Sequence, residues 1–154
     1  MKVRDVMRKE PAYCRLDTNV AAAVEIMWKN GCGFLPVVGD GGNVVAVVTD
    51  RDVCVALGTR STLASELPVG DVTPLKLFAC TADDDIHSAL STIRAQRIRR
   101  LPVIDSEGAL QGVLSMDDVV LHARECGGRQ DLCWKDVIET YRAIYGNGKA
   151  RVAA

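Results

Sequence analysis

LPVV at 35–38 returns as LPVI at 101–104, sixty-six residues further on, and the repetition runs well beyond the tetrapeptide. Residues 3–54 lie over 69–120 with no gap. VRDV at 3–6 meets VGDV at 69–72, Cys14 meets Cys80, and Val20, Ala23 and Val24 meet Ile86, Ala89 and Leu90. Val47 meets Val113, and Thr49 and Asp52 meet Ser115 and Asp118. An ungapped register of this length is an internal duplication. It confines the 154 residues to one domain, or to two small halves sharing a core, with no room for a catalytic domain beside a regulatory one.

The hydrophobic period changes in the same order in both copies. A short strand, at Ala12 to Cys14 and at Leu77 to Cys80, precedes a polar cap region, DTN at 17–19 and TADDD at 81–85. Val20, Ala23, Val24 and Met27 then mark one face of a helix, as Ile86, Ala89, Leu90 and Ile93 do in the second copy. Two apolar strands follow, FLPVV and VVAVVT across GDGGN, and LPVI and LQGVLS across DSEG. A second short helix begins near Arg51 and near Asp117. Each unit reads β-α-β-β-α, an α/β (α+β) class with the two units related by a pseudo-twofold axis and clefts where they meet. The units span 1–58 and 69–123, joined by a linker at 59–68 and followed by an extension at 124–154.

The charge balance removes several function classes. A formal net charge of −1 offers no general attraction to nucleic acid or to an anionic membrane, so any anion site must be local. Six cysteines with no C-x-x-C pair read as free thiols of a reducing cytoplasm. The charged opening KVRDVMRKE holds no apolar signal core, and no run suits a membrane helix, so a soluble, unexported protein is expected. With no Walker loop, no G-x-G-x-x-G, no paired catalytic carboxylates and only His87 and His122 as histidines, an enzyme is not expected.

The strand ends VVTDRDV at 47–53 and VLSMDDV at 113–119 make the sequence resemble a tandem pair of cystathionine β-synthase (CBS) domains, the Bateman module, over roughly residues 1–123. A stand-alone pair, with no kinase, channel, dehydrogenase or transporter domain attached, is expected. The resemblance implies a regulatory sensor of AMP, ADP, ATP or S-adenosylmethionine, commonly a disc-shaped homodimer, whose changed surface is read by an unidentified target protein. It implies an adenine nucleotide as regulatory ligand and no obligatory cofactor. The competing reading is a ligand-free structural dimerisation module.

Thr49 and Ser115 place a hydroxyl at a strand end, and Asp52 and Asp118 place a carboxylate in the first helical turn. A carboxylate can accept hydrogen bonds from both hydroxyls of a ribose, while the hydroxyl and free helix N–H groups suit a phosphate. The resemblance assigns those roles; the alternative is that both acids only stabilise a helix N-terminus. Aliphatic walls for adenine are offered by Pro11, Ala12, Tyr13 and Pro36, and by Leu77, Phe78, Ala79 and Pro102. Arg51 adds a cation to the first motif, and the second motif has Met116 and Asp117 in place of Asp50 and Arg51. In RIRRLPVID at 97–105, Arg99 and Arg100 stand where the first copy has Gly33 and Phe34. That pattern resembles the basic pair before L-P in the γ subunit of AMP-activated protein kinase, and implies a phosphorylated ligand.

Beyond the second unit, CGGRQ at 126–130 breaks the chain and DLCWKDVIETYRAIYGNG reads as an amphipathic helix capped by Asp131 and stopped at Gly146. Packing on its own module, on a dimer mate, or on a target are all open at this point. His122, Cys126 and Cys133 have a spacing that metal ligands can use, but Gly127 and Gly128 interrupt it, and free thiols with no metal are expected.

Overall fold

The computed structural model describes residues 1–127 and 131–146; residues 128–130 of the expected break and 147–154 of the expected extension lie outside the described residues. A strand β1 (Arg8–Lys9) comes first. The first half then runs β2 (Cys14–Arg15), α1 (Val20–Lys29), β3 (Phe34–Val38), β4 (Val44–Thr49) and α2 (Asp50–Thr59). The second half repeats it as β5 (Cys80–Thr81), α3 (Ile86–Gln96), β6 (Arg100–Ile104), β7 (Leu110–Ser115) and α4 (Met116–His122), and α5 (Trp134–Tyr145) follows. Both halves have the β-α-β-β-α order read from the sequence, in an α+β fold.

The cap residues are those the polar clusters offer. Asn19 Oδ1 accepts the Ala22 N–H at 2.9 Å at the head of α1, and Asp85 Oδ1 accepts the His87 N–H at 2.9 Å at the head of α3. The opening strand of each half is shorter and later than the expected Ala12 to Cys14 and Leu77 to Cys80. Pro36 and Pro102 have no N–H to give, and β2 and β5 pair only with the residues beyond them, Cys14 with Val37 and Cys80 with Val103. The residues before each strand therefore stay irregular and unpaired.

The exchange of backbone bonds between the halves reveals their symmetry. Asn43 bridges Ala109, its own equivalent sixty-six residues on, which is possible only where a twofold axis passes between them. The other bonds come in symmetric pairs. The Val3 N–H donates to Asp84 O at 3.0 Å and the Val69 N–H to Thr18 O at 2.8 Å; the Ile86 N–H donates to Met1 O and the Val20 N–H to Leu67 O.

Each copy's leading turn is thus packed on the other copy. Val3 and Val6 are buried with Ile86, Leu90, Leu101 and Leu114, while Leu67 and Val69 are buried with Val20, Leu35 and Val48. The exchange goes further on one side. β1 pairs antiparallel with β7, giving a four-stranded sheet β1-β7-β6-β5 against a three-stranded β2-β3-β4. The residue equivalent to Arg8 is Pro74, which cannot donate to a ladder. Gly112 admits the extra strand, since a Cβ there would stand 2.7 Å from Arg8 O.

α5 lies across α3 and α4, with Leu132 buried and Val137, Tyr141 and Ile144 packed against the second core. Leu90 is therefore buried, whereas its equivalent Val24, expected on the inner face of α1, is 41% exposed. The cap of α5 is Cys133, in a reciprocal box with Asp136, rather than Asp131; Gly146 follows the last turn at φ −69. Cys126 and Cys133 are joined as a disulfide with 5.0 Å between Cα atoms, which corrects the expectation that both are free thiols and takes both away from metal binding. Cys14 and Cys80 are buried free thiols, pushed up by that burial to about 11 and about 12. Among the described residues no helix is long and apolar enough to cross a membrane.

Left-handed backbone gives opposite predictions at two positions. Gly108, at φ 83 in the β6–β7 turn, has Asn43 Cβ 3.3 Å from where its own Cβ would stand, so Gly108→Ala is expected to cost about 1–2 kcal/mol. Arg97 ends α3 at φ 54, where the first copy uses Gly31 at φ 58, so Arg97→Gly is expected to gain about 0.5–1 kcal/mol. Urea midpoints of the two variants check both signs.

Candidate functional site

Thr49 and Ser115 are the N-caps of α2 and α4, and each shares a reciprocal box with the acid three residues on. Asp52 Oδ2 accepts from the Thr49 N–H at 2.9 Å and from Thr49 Oγ1 at 2.6 Å. Asp118 Oδ2 accepts from the Ser115 N–H at 3.3 Å and from Ser115 Oγ. One carboxylate oxygen is thereby committed to the backbone in each half. Capping is real in both copies, and the remaining oxygen decides whether anything more is built there.

Asp118 lines a cleft of about 190 Å³ between the halves. Its walls come from β1 and the irregular chain after it (Arg8, Glu10, Pro11, Ala12), from the end of α1 and the start of β3 (Asn30, Gly31, Cys32, Phe34), and from the second half (Arg100, Val113, Ser115, Asp117, Asp118). The shortness of β2 matters here. Because Pro36 delays the pairing, Pro11 and Ala12 are free to turn toward the cleft. Asn30 ends α1, its side-chain amide donating to Ile26 O at 2.8 Å, and Gly31 turns the chain so that Cys32 reaches the wall.

Two guanidiniums flank the acids. Arg8 Nη2 stands 3.6 Å from Asp118 Oδ1, and Arg100 Nη2 stands 3.8 Å from Asp117 Oδ2. Both separations exceed hydrogen-bond length, and among the described residues neither guanidinium donates to another side chain or carbonyl. Arg100 is held in place by its backbone, paired with Ser115 across the β6–β7 ladder.

The residues singled out from the sequence divide accordingly. Ser115, Asp118, Arg100, Pro11 and Ala12 meet in this cleft. Arg99 does not line it; its Nη1 donates to the Tyr145 hydroxyl of α5 at 3.4 Å. Pro36 and Pro102 are buried inside β3 and β6, and Tyr13 is 52% exposed. Leu77, Phe78 and Ala79 form the irregular approach to β5, with the Lys76 ammonium 4.9 Å from the centre of the Phe78 ring. Thr49 and Asp52 head α2 away from the Asp118 cleft, with Arg51 exposed beside them. The contributions of Arg8, Glu10, Asn30 and Cys32 were not read from the sequence. The one signal for Arg8 is that a basic residue stands where the other copy has Pro74.

Comparison with known proteins follows the same division into halves. The family model described as the CBS domain matches residues 3–59 and again 69–125. The γ subunit of 5'-AMP-activated protein kinase from Kluyveromyces lactis is 29% identical over 114 residues, covering 70% of this chain and 35% of that protein. The chain spans between about a fifth and a half of the length of the curated relatives it matches. Among solved structures, CBSX2 in complex with AMP shares 26% identity at a TM-score of 0.67, covering 78% of this chain and 93% of that one. The CBS domain pair of MJ0100, in complex with 5'-methylthioadenosine and S-adenosylmethionine, shares the fold at 19% identity and a TM-score of 0.71, covering 79% and 94%. Two matched stretches, each falling on one β-α-β-β-α half around a common twofold axis, place the chain in the CBS domain family as a tandem pair of such domains.

Proposed function

We propose that this CBS pair is a regulatory module, not a catalyst, which binds an adenosine compound in the Asp118 cleft and passes its occupancy to a partner. The observation that carries the reading is the second carboxylate oxygen of Asp118. The first is spent on the helix cap, and Oδ1, 3.6 Å from Arg8 Nη2, accepts no hydrogen bond from the described residues although Asp118 lines a cleft walled by both halves. Ribose is the sugar whose vicinal hydroxyls suit such an oxygen, with Pro11, Ala12, Phe34 and Val113 as apolar walls for a base. The AMP complex of CBSX2 and the methylthioadenosine complex of MJ0100 support an adenosine ligand. Because the cleft joins the exchanged strand β1, the end of α1 and the head of α4, a ligand there ties the halves together. A conformational response follows if one arrangement of the halves binds more tightly than another.

The surface available to a partner is the face of α1 and α2. Its equivalent on α3 and α4 is covered by α5, but here Trp28 is 85% exposed beside Val24, Val53 and Cys54. A second copy suits it. Asp50 lies in this groove, and Arg142 lies with Ile138 and Tyr145 in an apolar groove along α5, so two chains related by a twofold axis, each groove against the partner's α5, oppose unlike charges twice.

A thermal shift panel of adenosine, AMP, ADP, ATP, methylthioadenosine and S-adenosylmethionine tests the function. At least one compound at a hundred times its Kd is expected to stabilise the fold by about 2.7 kcal/mol, a rise of several degrees in Tm. A melting curve indifferent to all six returns the molecule to the purely structural reading.

A further inference from the structure

Cys126 and Cys133 both lie beyond the repeat, and of the six cysteines they are the two that are joined. Their bond stands where α5 is attached to the second half. After α4 the chain doubles back, the Arg124 N–H donating to Leu132 O and the Trp134 N–H to Arg124 O, each at 3.1 Å. Trp134 Nε1 adds a bond to Ala123 O at 3.1 Å, and the disulfide ties the fold-back shut. Beyond it Arg94 Nη1 reaches Thr140 Oγ1 at 3.5 Å and Arg99 Nη1 reaches the Tyr145 hydroxyl at 3.4 Å, so the tie stands at the head of a helix whose later turns rest on the second half.

The two sulfurs are not equivalent. Cys126 is exposed after α4, whereas Cys133 is 7% exposed and caps α5. An incoming thiolate therefore meets Cys126 first, and Cys133 is the sulfur that leaves. It leaves into a helix N-terminus: the Asp136 N–H already donates to it in the capping box, and the dipole of the twelve-residue helix favours negative charge there. The Asp136 carboxylate, which would oppose that charge, accepts the Cys133 N–H at 3.0 Å and has His87 Nε2 3.5 Å away. A bond between residues only seven apart also restrains the unfolded chain less than one closing a long loop.

We propose that Cys126 and Cys133 form a reversible thiol–disulfide site that sets how firmly α5 is closed over α3 and α4. The reductant is a dithiol. One of its thiolates attacks Cys126 Sγ, the bond to Cys133 breaks, and Cys133 leaves as a thiolate that takes up a proton. The second thiolate of the reductant then attacks the reductant's own sulfur in the mixed disulfide, releasing Cys126 and closing the reductant as a disulfide. Two electrons pass to the pair, and both cysteines end as thiols. With the tie cut, the fold-back bonds and the packing of α5 act alone, and the helix opens more often. What it uncovers is the α3 face on which Leu90 is wholly buried, the equivalent of the face that leaves Val24 open on α1.

Hydrogen exchange of the full chain, read by mass spectrometry with and without dithiothreitol, is the test. Reduction is expected to speed exchange in 134–145 by about tenfold or more and to leave 20–29 and 50–59 level. Cys133→Ser should show the fast rate without reductant, and because serine is itself a good cap the lost bond is what is read. Cys126→Ser, which leaves the cap untouched, should match it. In glutathione buffers running from reduced to oxidised, alkylation and intact mass should show the pair passing from dithiol to disulfide. A pair that stays disulfide in every buffer is a fixed staple, a pair that never forms is no site, and exchange in 134–145 indifferent to reduction leaves the bond no hold on α5. Each of these three results overturns the inference.

Discussion

Replacing Val3 with aspartate is expected to open the half of the molecule that carries Ser115, although by sequence Val3 belongs to the other copy. Val3 is wholly buried among Ile86, Leu90, Leu101 and Leu114, and its N–H is bound to Asp84 O. No cation lies in that cluster, so the carboxylate would be buried uncompensated, at a cost of about 3–5 kcal/mol. Against a typical total stability of roughly 5–15 kcal/mol this is a large share, and Tm should fall by about 10 °C. The location of the damage is the sharper readout. Hydrogen exchange should accelerate first in β6 and β7 for Val3→Asp, and first in β3 and β4 for Val69→Asp, since Val69 is packed on the opposite core. Loss of protection in β3 and β4 on substituting Val3 would show that each leading turn packs on its own copy.

The same exchange marks where sequence reading stops. Duplication, helix caps, strand pairs and the two hydroxyl–acid boxes are local patterns, and each is visible as a spacing: Asn19 before α1, Asp85 before α3, Thr49 with Asp52, Ser115 with Asp118. Periodicity specifies which face of a segment is apolar. It does not specify against which copy that face is buried, because two equivalent cores accept the same valines. Arg8 was invisible for this reason, and so was the meaning of Arg99 and Arg100, the one in the bend before β6 and the other its first residue, one reaching α5 and the other the cleft. The pair formed by Cys126 and Cys133 depends on the chain after α4 folding back, with the Trp134 N–H bound to Arg124 O. The exposure of Val24 against the burial of Leu90 likewise follows from α5, which lies outside the repeat.

Asp118→Asn separates binding from capping, the two roles that the carboxylate combines. Asparagine keeps the shape of the side chain and one carbonyl oxygen, so the box with Ser115 can be retained, at a cost of about 1 kcal/mol or less to the short helix α4. It cannot present two accepting oxygens. With its carbonyl on the cap, the amide nitrogen faces the cleft and opposes the ribose hydroxyls with a donor. Hydrogen bonds to a charged acceptor contribute about 1.5–3 kcal/mol, so affinity for any adenosine compound that binds should fall by roughly ten- to a hundredfold or more. Asp52→Asn is the matched control, because Asp52 makes the same box with Thr49 at the head of α2 and does not line the Asp118 cleft. The two variants should lose similar stability, measured by urea unfolding, and differ widely in calorimetric affinity at that cleft. Two variants alike in stability with the ligand undisturbed in both would mean that the acids only cap helices, since a carboxylate that holds a ribose cannot be exchanged for an amide without the nucleoside registering it.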